Sequence, residues 1–93
     1  MGRYSITIES SARKDLEAIY KSGNKSDIKK VDQIFRELAV HPAFGTGKPE
    51  QLKYDKRGFW SRRINHKDRI VYKIEDTTVT VTVVSAKGHY DDK

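Results

Sequence analysis

The pattern of apolar and polar positions divides the chain into one strand, two helices and a further series of strands. Residues Tyr4 to Ile8 alternate apolar and polar side chains, which indicates a first strand. Apolar residues then recur at helical spacing in two stretches separated by Gly23-Asn24, and both of these residues tolerate the left-handed conformation that ends a helix. The predicted inner faces are Ala12, Leu16, Ile19 and Tyr20 in the first helix, and Ile28, Val31, Ile34, Phe35 and Leu38 in the second.

Short polar residues mark where the two helices begin and end. Ser10 or Ser11 is predicted to cap the first helix, and Ser26 the second, with Asp27 favourably placed in its first turn. His41-Pro42 is predicted to stop the second helix, because the residue before a proline avoids the helical conformation. Since the connection between the two helices is so short, they should form an antiparallel hairpin.

Strand-like runs fill the second half of the chain, after a loop at residues 43–49. These runs are Gln51 to Tyr54, Phe59 to Ile64, Arg69 to Ile74 and Thr78 to Ala86. The order predicts a single α+β domain over residues 1–93, with an N-terminal strand, a two-helix hairpin and a curved antiparallel sheet of about four strands. The hairpin should cover one face of the sheet and leave the other face open.

The positive charge of the chain is concentrated in one segment. Net charge is +6, and the residues from Lys48 to Lys73 contain nine cations and three anions, whereas the other residues contain ten of each. Such a segment suits a phosphate backbone or a strongly acidic protein, and a basic face that serves only solubility is the plainer alternative.

Several classes of function fit the sequence poorly. The chain has no cysteine, which removes disulfides and thiolate metal sites and fits a reducing cytoplasm. No apolar run is long enough for a signal peptide or a membrane span, so we expect a cytoplasmic protein with no membrane partner. The GTGK stretch at residues 45–48 is not a phosphate loop, because its spacing is wrong and a proline follows the lysine. The three histidines show no paired ligand spacing, so no metal is expected.

Acid–base chemistry on RNA remains open to a chain with this composition. RNA carries its own nucleophile, the 2′-OH, so its cleavage needs a base, an acid and cations that stabilise the phosphorane. Glu50, Arg69 and His89 are of the types required, and antiparallel pairing brings residues distant in sequence together. Each also has an ordinary explanation, as a surface carboxylate, a strand-edge cation and a terminal histidine.

Four motifs together resemble the YoeB/Txe branch of the RelE-like toxins, which belong to bacterial type II toxin–antitoxin systems. They are GKPEQLK at residues 47–53, GFWSRRI at 58–64, RIVY at 69–72 and His89-Tyr90. The resemblance covers nearly the whole chain. It implies an endoribonuclease that enters the ribosomal A site and cleaves messenger RNA there without metal or cofactor, leaving a 2′,3′-cyclic phosphate and a 5′-OH.

The resemblance also assigns roles to individual residues. It makes Glu50 the general base, His89 the general acid and Arg69 the cation at the scissile phosphate, with Tyr90 beside the histidine. Lys53 and Arg63 correspond to further cations around the phosphates. Less specific contacts to ribosomal RNA are expected from the remaining cations Lys56, Arg57, Arg62 and Lys67. For Phe59 and Trp60 we predict a structural role, with one ring entering the core.

Partners follow from the same resemblance. They are the 70S ribosome with its mRNA and a cognate antitoxin of the YefM/Axe kind, acidic and partly disordered; family members often form homodimers. Two alternatives stay open: a ParE-like toxin that acts on DNA gyrase through protein contacts, and a catalytically weakened RNA-binding relative.

The chain departs from the family pattern in three places. Gly88 stands where an aromatic is usual, Lys67-Asp68 replaces a Glu-His pair, and Asp91-Asp92-Lys93 follows the tyrosine at which most members end. These differences bear on catalytic efficiency more than on the type of activity.

Overall fold

The computed structural model of the protein describes residues 4–52, 58–75 and 78–86. In chain order the elements are β1 (Ser5–Ile8), α1 (Ser10–Ser22), α2 (Lys25–Leu38), β2 (Glu50–Gln51), β3 (Phe59–Arg63), β4 (Arg69–Glu75) and β5 (Thr80–Ser85). The predicted order is confirmed. Several strands differ from the predictions at their ends: β2 begins one residue earlier, at Glu50, and β5 begins two residues later, at Thr80.

All five strands form one sheet, in the order β1-β5-β4-β3-β2. The last four strands pair antiparallel, as predicted. β1 adds a fifth strand, which lies parallel to β5, so the sheet as a whole is mixed. This pairing aligns Ile6 with Val81 and Ile8 with Val83, which extends the apolar face of β5 onto its neighbour.

The start of α1 differs from the prediction. Glu9 occupies the N-cap position and makes no side-chain cap hydrogen bond, whereas Ser10 is already helical. The hydroxyl of Ser11 donates instead to the carbonyl of Val84, at 2.9 Å. The predicted serine cap is therefore wrong, because this serine ties the helix to β5 rather than to its own backbone.

The cap of α2 lies two residues before the predicted one. Asn24 is the N-cap, and its side-chain oxygen accepts from the backbone N–H of Asp27 at 3.0 Å. Ser26 lies inside the helix, so its predicted role as the cap is wrong. Gly23 ends α1 in the left-handed conformation, with φ 75°, as predicted. Because Asn24 follows it directly, one helix ends and the next begins within two residues.

Both helices pack on the same face of the sheet. The core is built from Ala12, Leu16 and Ile19 of α1, Val31, Ile34 and Leu38 of α2, and Ile70, Tyr72, Val81 and Val83 of the sheet. Tyr20 was predicted to face inward but is 45% exposed, and its hydroxyl donates to Asp32 at 2.7 Å, linking the two helices. No helix in the described part of the chain is long and apolar enough to cross a membrane.

Candidate active site

The pairing of β2, β3 and β4 gathers charged residues on the face of the sheet opposite the helices. Glu50 is paired with Ser61, and Arg63 with Arg69. Side chains alternate between the two faces of a strand, so Ser61 and Arg63 share the face away from the core. Residues separated by as many as 19 positions thereby become neighbours.

Two of the predicted catalytic residues meet on this face. Arg69 Nη1 lies 3.6 Å from Glu50 Oε1, with the arginine side chain 29% exposed and the carboxylate 71% exposed. An exposed pair of this kind stabilises a fold by only about 0–1 kcal/mol. Stability is therefore a weak reason for the pair, and both groups remain accessible to a ligand.

A small pocket surrounds the ion pair. It has a volume of about 160 Å³ and is lined by Gly47, Lys48, Pro49, Glu50, Ser61, Arg63 and Arg69. Three of these residues are cations and one is an anion, so the pocket has an excess of positive charge. A phosphodiester is the kind of group that such a pocket attracts.

Gly47 brings the loop before β2 against the backbone of β3. Its φ is 84°, and its carbonyl accepts from the N–H of Arg63 at 2.8 Å. A Cβ on this glycine would lie 2.8 Å from the carbonyl oxygen of Arg63, closer than two such atoms can approach. The glycine is thus a turn former, as predicted, and its lack of a side chain lets the chain reach the pocket wall.

Arg62 is not available to RNA. Its side chain is fully buried on the helix side of the sheet, because it alternates with Arg63 along β3. It forms an ion pair with Glu37 at 2.6 Å, and its Nε donates to the hydroxyl of Tyr72 at 3.1 Å. The prediction that Arg62 binds ribosomal RNA is therefore wrong.

The partner of Arg62 is held in its ionised form. Burial raises the pKa of Glu37, but hydrogen bonds from Gln33, Thr46 and Arg62 outweigh this and lower that pKa from 4.5 to about 2. Thr46 donates twice to the carboxylate, through its backbone N–H at 2.7 Å and its hydroxyl at 2.6 Å. Glu37 was missed in the sequence because nothing local indicates a contact with Arg62, 25 positions away. Thr46 was missed because its contact with Glu37, 9 positions before it, forms only when the loop packs against α2.

The two aromatic residues of β3 lie on opposite sides of the sheet. Trp60 packs against the core, as predicted for one of the two rings. Phe59 lies opposite Lys73 on β4, whose Nζ is 5.7 Å from the ring centroid. The geometry suits a cation–π contact, which gives Phe59 a structural partner.

The remaining predicted residues lie elsewhere or are not described. Lys67 is exposed and borders a different pocket, beside the α1–α2 turn, and its role in docking stays a prediction. The other predicted residues, Lys53, Lys56, Arg57, His89 and Tyr90, lie outside the described residues, as do Gly88 and the last three residues. Their roles also stay predictions.

Comparisons with known proteins place the chain among small bacterial toxins. The sequence model for the YoeB-like toxins of bacterial type II toxin–antitoxin systems matches residues 8–90. Because this match spans most of the chain, the protein belongs to the YoeB-like toxin family.

Individual relatives agree with this assignment. The toxin YoeB of Synechocystis sp. is 37% identical over 71 residues, which cover 76% of this chain and 80% of that protein. The structure of a YoeB dimer from Staphylococcus aureus superposes with a TM-score of 0.78 at 35% identity, covering 95% of this chain and 99% of the other. A YoeB–YefM complex from the same organism matches with a TM-score of 0.75 at 36% identity and the same coverage.

Proposed function

We propose that the protein is a ribosome-dependent mRNA endoribonuclease that cleaves messenger RNA in the ribosomal A site and so inhibits translation. The observation that carries this proposal is the Glu50–Arg69 pair in a cationic pocket on the open face of the sheet. Membership of the YoeB-like toxin family supports it, since the resemblance in the motifs implies this reaction.

The proposed reaction is an in-line transfer within the RNA. Glu50 takes the proton of the 2′-OH, whose oxygen attacks the adjacent phosphorus, and the bond from phosphorus to the 5′ oxygen breaks. His89 gives a proton to that oxygen, leaving a 2′,3′-cyclic phosphate and a 5′-OH, while Tyr90 lies beside the histidine. Arg69 stabilises the charge of the phosphorane. The scheme assigns no step to a metal or cofactor.

The ion pair suggests how the site responds to substrate. In the free protein Arg69 lies against Glu50. An entering phosphodiester competes with Glu50 for the guanidinium, and this frees the carboxylate to accept a hydrogen bond from the 2′-OH. In this proposal Arg63 and Lys53 bind the neighbouring phosphates of the mRNA. The cations that dock the protein on ribosomal RNA are Lys56, Arg57 and Lys67.

The proposed partners are an antitoxin, the ribosome and a second copy of the chain. The Staphylococcus aureus relative forms a complex with YefM, and an acidic, partly disordered antitoxin of that kind would complement the net charge of +6. The YoeB dimer from the same organism supports a homodimer. Since the ribosome is the target, the proposed location is the bacterial cytoplasm.

The test is cleavage of mRNA in programmed 70S ribosomes. We expect the wild-type protein to cut the A-site codon, and a single 2′-deoxy substitution at the scissile nucleotide to abolish cutting while sparing binding. Glu50→Gln should lose about 10²- to 10⁴-fold in single-turnover rate, whereas Glu17→Gln, an exposed carboxylate on α1, should match the wild type.

Three outcomes would count against the proposal. Normal cutting of the deoxy substrate would exclude the 2′-OH mechanism, and equal rates with and without ribosomes would exclude an A-site toxin. Absence of cleavage, combined with inhibition of DNA gyrase, would favour the ParE-like alternative.

A further inference from the structure

Residues 41–47 form the loop that leads from α2 towards Glu50, and one buried side chain binds its carbonyl groups. Arg62 Nη2 donates to the carbonyls of His41 and Phe44, each at 3.0 Å. Arg62 Nη1 donates to the carbonyl of Thr46, at 3.3 Å. A loop of this length has few partners of its own, so a single guanidinium supplies much of what fixes its path.

Two further side chains bind the same loop. Glu37 accepts from both the N–H and the hydroxyl of Thr46, and Tyr72 donates its hydroxyl to the carbonyl of Pro42 at 2.7 Å. Arg62 contacts both of them, at 2.6 Å and 3.1 Å. The three side chains come from α2, β3 and β4, so they connect the loop to the helix and to the sheet at once.

The strand that carries Glu50 is too short to fix that residue by itself. β2 has two residues, and among the described strands it lies at the edge of the sheet, with β3 as its one neighbour. Just before it, Lys48 has a positive φ of 50°, a conformation that non-glycine residues seldom adopt. Such a backbone persists only when the surrounding structure holds it, and the loop bound by Arg62 is the structure that precedes it.

We propose that Arg62, Glu37 and Tyr72 are positioning residues that hold the loop at residues 41–47 and thereby set the placement of Glu50 opposite Arg69. The inference rests on the proposed function, in which Glu50 is the base. The physical reason is that the catalytic rate depends on geometry more steeply than the stability of the fold does, since a displacement of about 1 Å can lower the rate by about 10²-fold. A buried ion pair is also weak evidence for stability, because the cost of removing both charges from water offsets much of their attraction.

Thr46→Val gives the cleanest test, because it removes one bond to the loop without leaving the charge of Arg62 unpaired. We expect kcat for ribosome-programmed cleavage to fall about tenfold and KM to stay within about twofold. The matched control is Ile19→Val. It removes one methylene from a buried residue of α1, and this residue lies far from the loop in sequence. Both variants are compared by their urea midpoints, so that a general loss of stability is seen separately. Thr46→Ser keeps the hydroxyl that Thr46→Val lacks, so this variant should retain most of the wild-type kcat.

A second measurement follows the loop without relying on activity. The amide of Arg63 donates to the carbonyl of Gly47, so it reports whether the loop is docked. Hydrogen exchange at this amide should be faster in Thr46→Val than in Ile19→Val.

The two proposals fail in different ways. Wild-type protein that does not cleave programmed ribosomes overturns the proposed function and the catalytic role of the loop with it. Wild-type protein that cleaves, with Thr46→Val equal to Ile19→Val in kcat or in exchange at Arg63, overturns the positioning role alone. A fall in kcat that Thr46→Ser does not reverse overturns it as well.

Discussion

Lowering the pH should weaken the fold through the carboxyl group of Glu37. In the folded protein its pKa is lowered from 4.5 to about 2, while in the unfolded chain it returns to its ordinary value. Because the folded pKa lies below the unfolded one, the stabilisation is fully present above about pH 4.5 and is lost as the pH falls towards about 2. The groups responsible are the donors of Gln33, Thr46 and Arg62, which all prefer a charged acceptor.

The size of the effect follows from the shift. A difference of about 2.5 pKa units corresponds to about 3 kcal/mol at 1.36 kcal/mol per unit. The Glu37 side chain is 12% exposed, and because solvent screens part of the interaction, the contribution of this group to the free energy of unfolding is reduced to about 2 kcal/mol. At about pH 3, between the folded and unfolded pKa values, less than half of the contribution remains.

The assay is urea unfolding at about pH 7 and about pH 3, followed by the fluorescence of the single tryptophan, Trp60. Wild-type protein is compared with Glu37→Gln, which cannot titrate at this position. Other carboxyl groups titrate in both proteins and cancel in the difference, as does the cost of leaving Arg62 without its charged partner. The wild type should be more stable than the variant at about pH 7, and this difference in the free energy of unfolding should shrink by about 1–2 kcal/mol at about pH 3. An equal difference at both pH values would refute the reasoning, and Glu17→Gln should behave as the wild type at each.

Three further predictions concern the site and its approach. Gly47→Ala should lower the free energy of unfolding by about 1–3 kcal/mol in chemical denaturation, because its Cβ meets the carbonyl of Arg63 and its φ is positive; an unchanged midpoint would contradict the close approach. A 5′-thio leaving group needs no proton, so it should restore cleavage by His89→Ala but not by Arg69→Ala; failure to rescue the histidine variant would exclude it as the general acid. Lys67→Gln should reduce the salt dependence of ribosome binding by about one unit of slope, and an unchanged slope would make this lysine a solvated surface residue.

The sequence was sufficient for the fold class and for the type of protein. Helical spacing of apolar residues predicted α1 and α2, and alternation predicted the strands, because each pattern is a local consequence of backbone geometry. The motifs at residues 47–53 and 58–64 indicated the toxin family before any contact was known. The motifs at residues 47–53 and 69–72 brought Glu50 and Arg69 forward as catalytic candidates together with His89, and the sheet register then placed the first two 3.6 Å apart.

Adjacent residues with the same charge show what the sequence left undecided. Arg62 and Arg63 are chemically identical, yet one is buried against Glu37 and the other faces the open side of the sheet. Strand alternation predicts that the two side chains point to opposite faces of the sheet. The apolar residues Trp60 and Ile64, which share a face with Arg62, could have indicated that Arg62 points inward. Whether a buried arginine is tolerable depends on a carboxylate from α2 and on the carbonyls of a loop, and those meet it only when the helices pack on the sheet.

The helix caps and the edge strand were decided by tertiary structure for the same reason. Ser11 is a good cap by residue type, but it bonds to Val84 on β5, 73 residues away. β1 joins β5 in parallel and so places Ile6 and Ile8 beside Val81 and Val83 on the apolar face, a pairing between residues more than 70 positions apart. Local preferences depend on a few neighbouring residues, whereas these choices depend on which surfaces are buried together, and that is settled only by the packed chain.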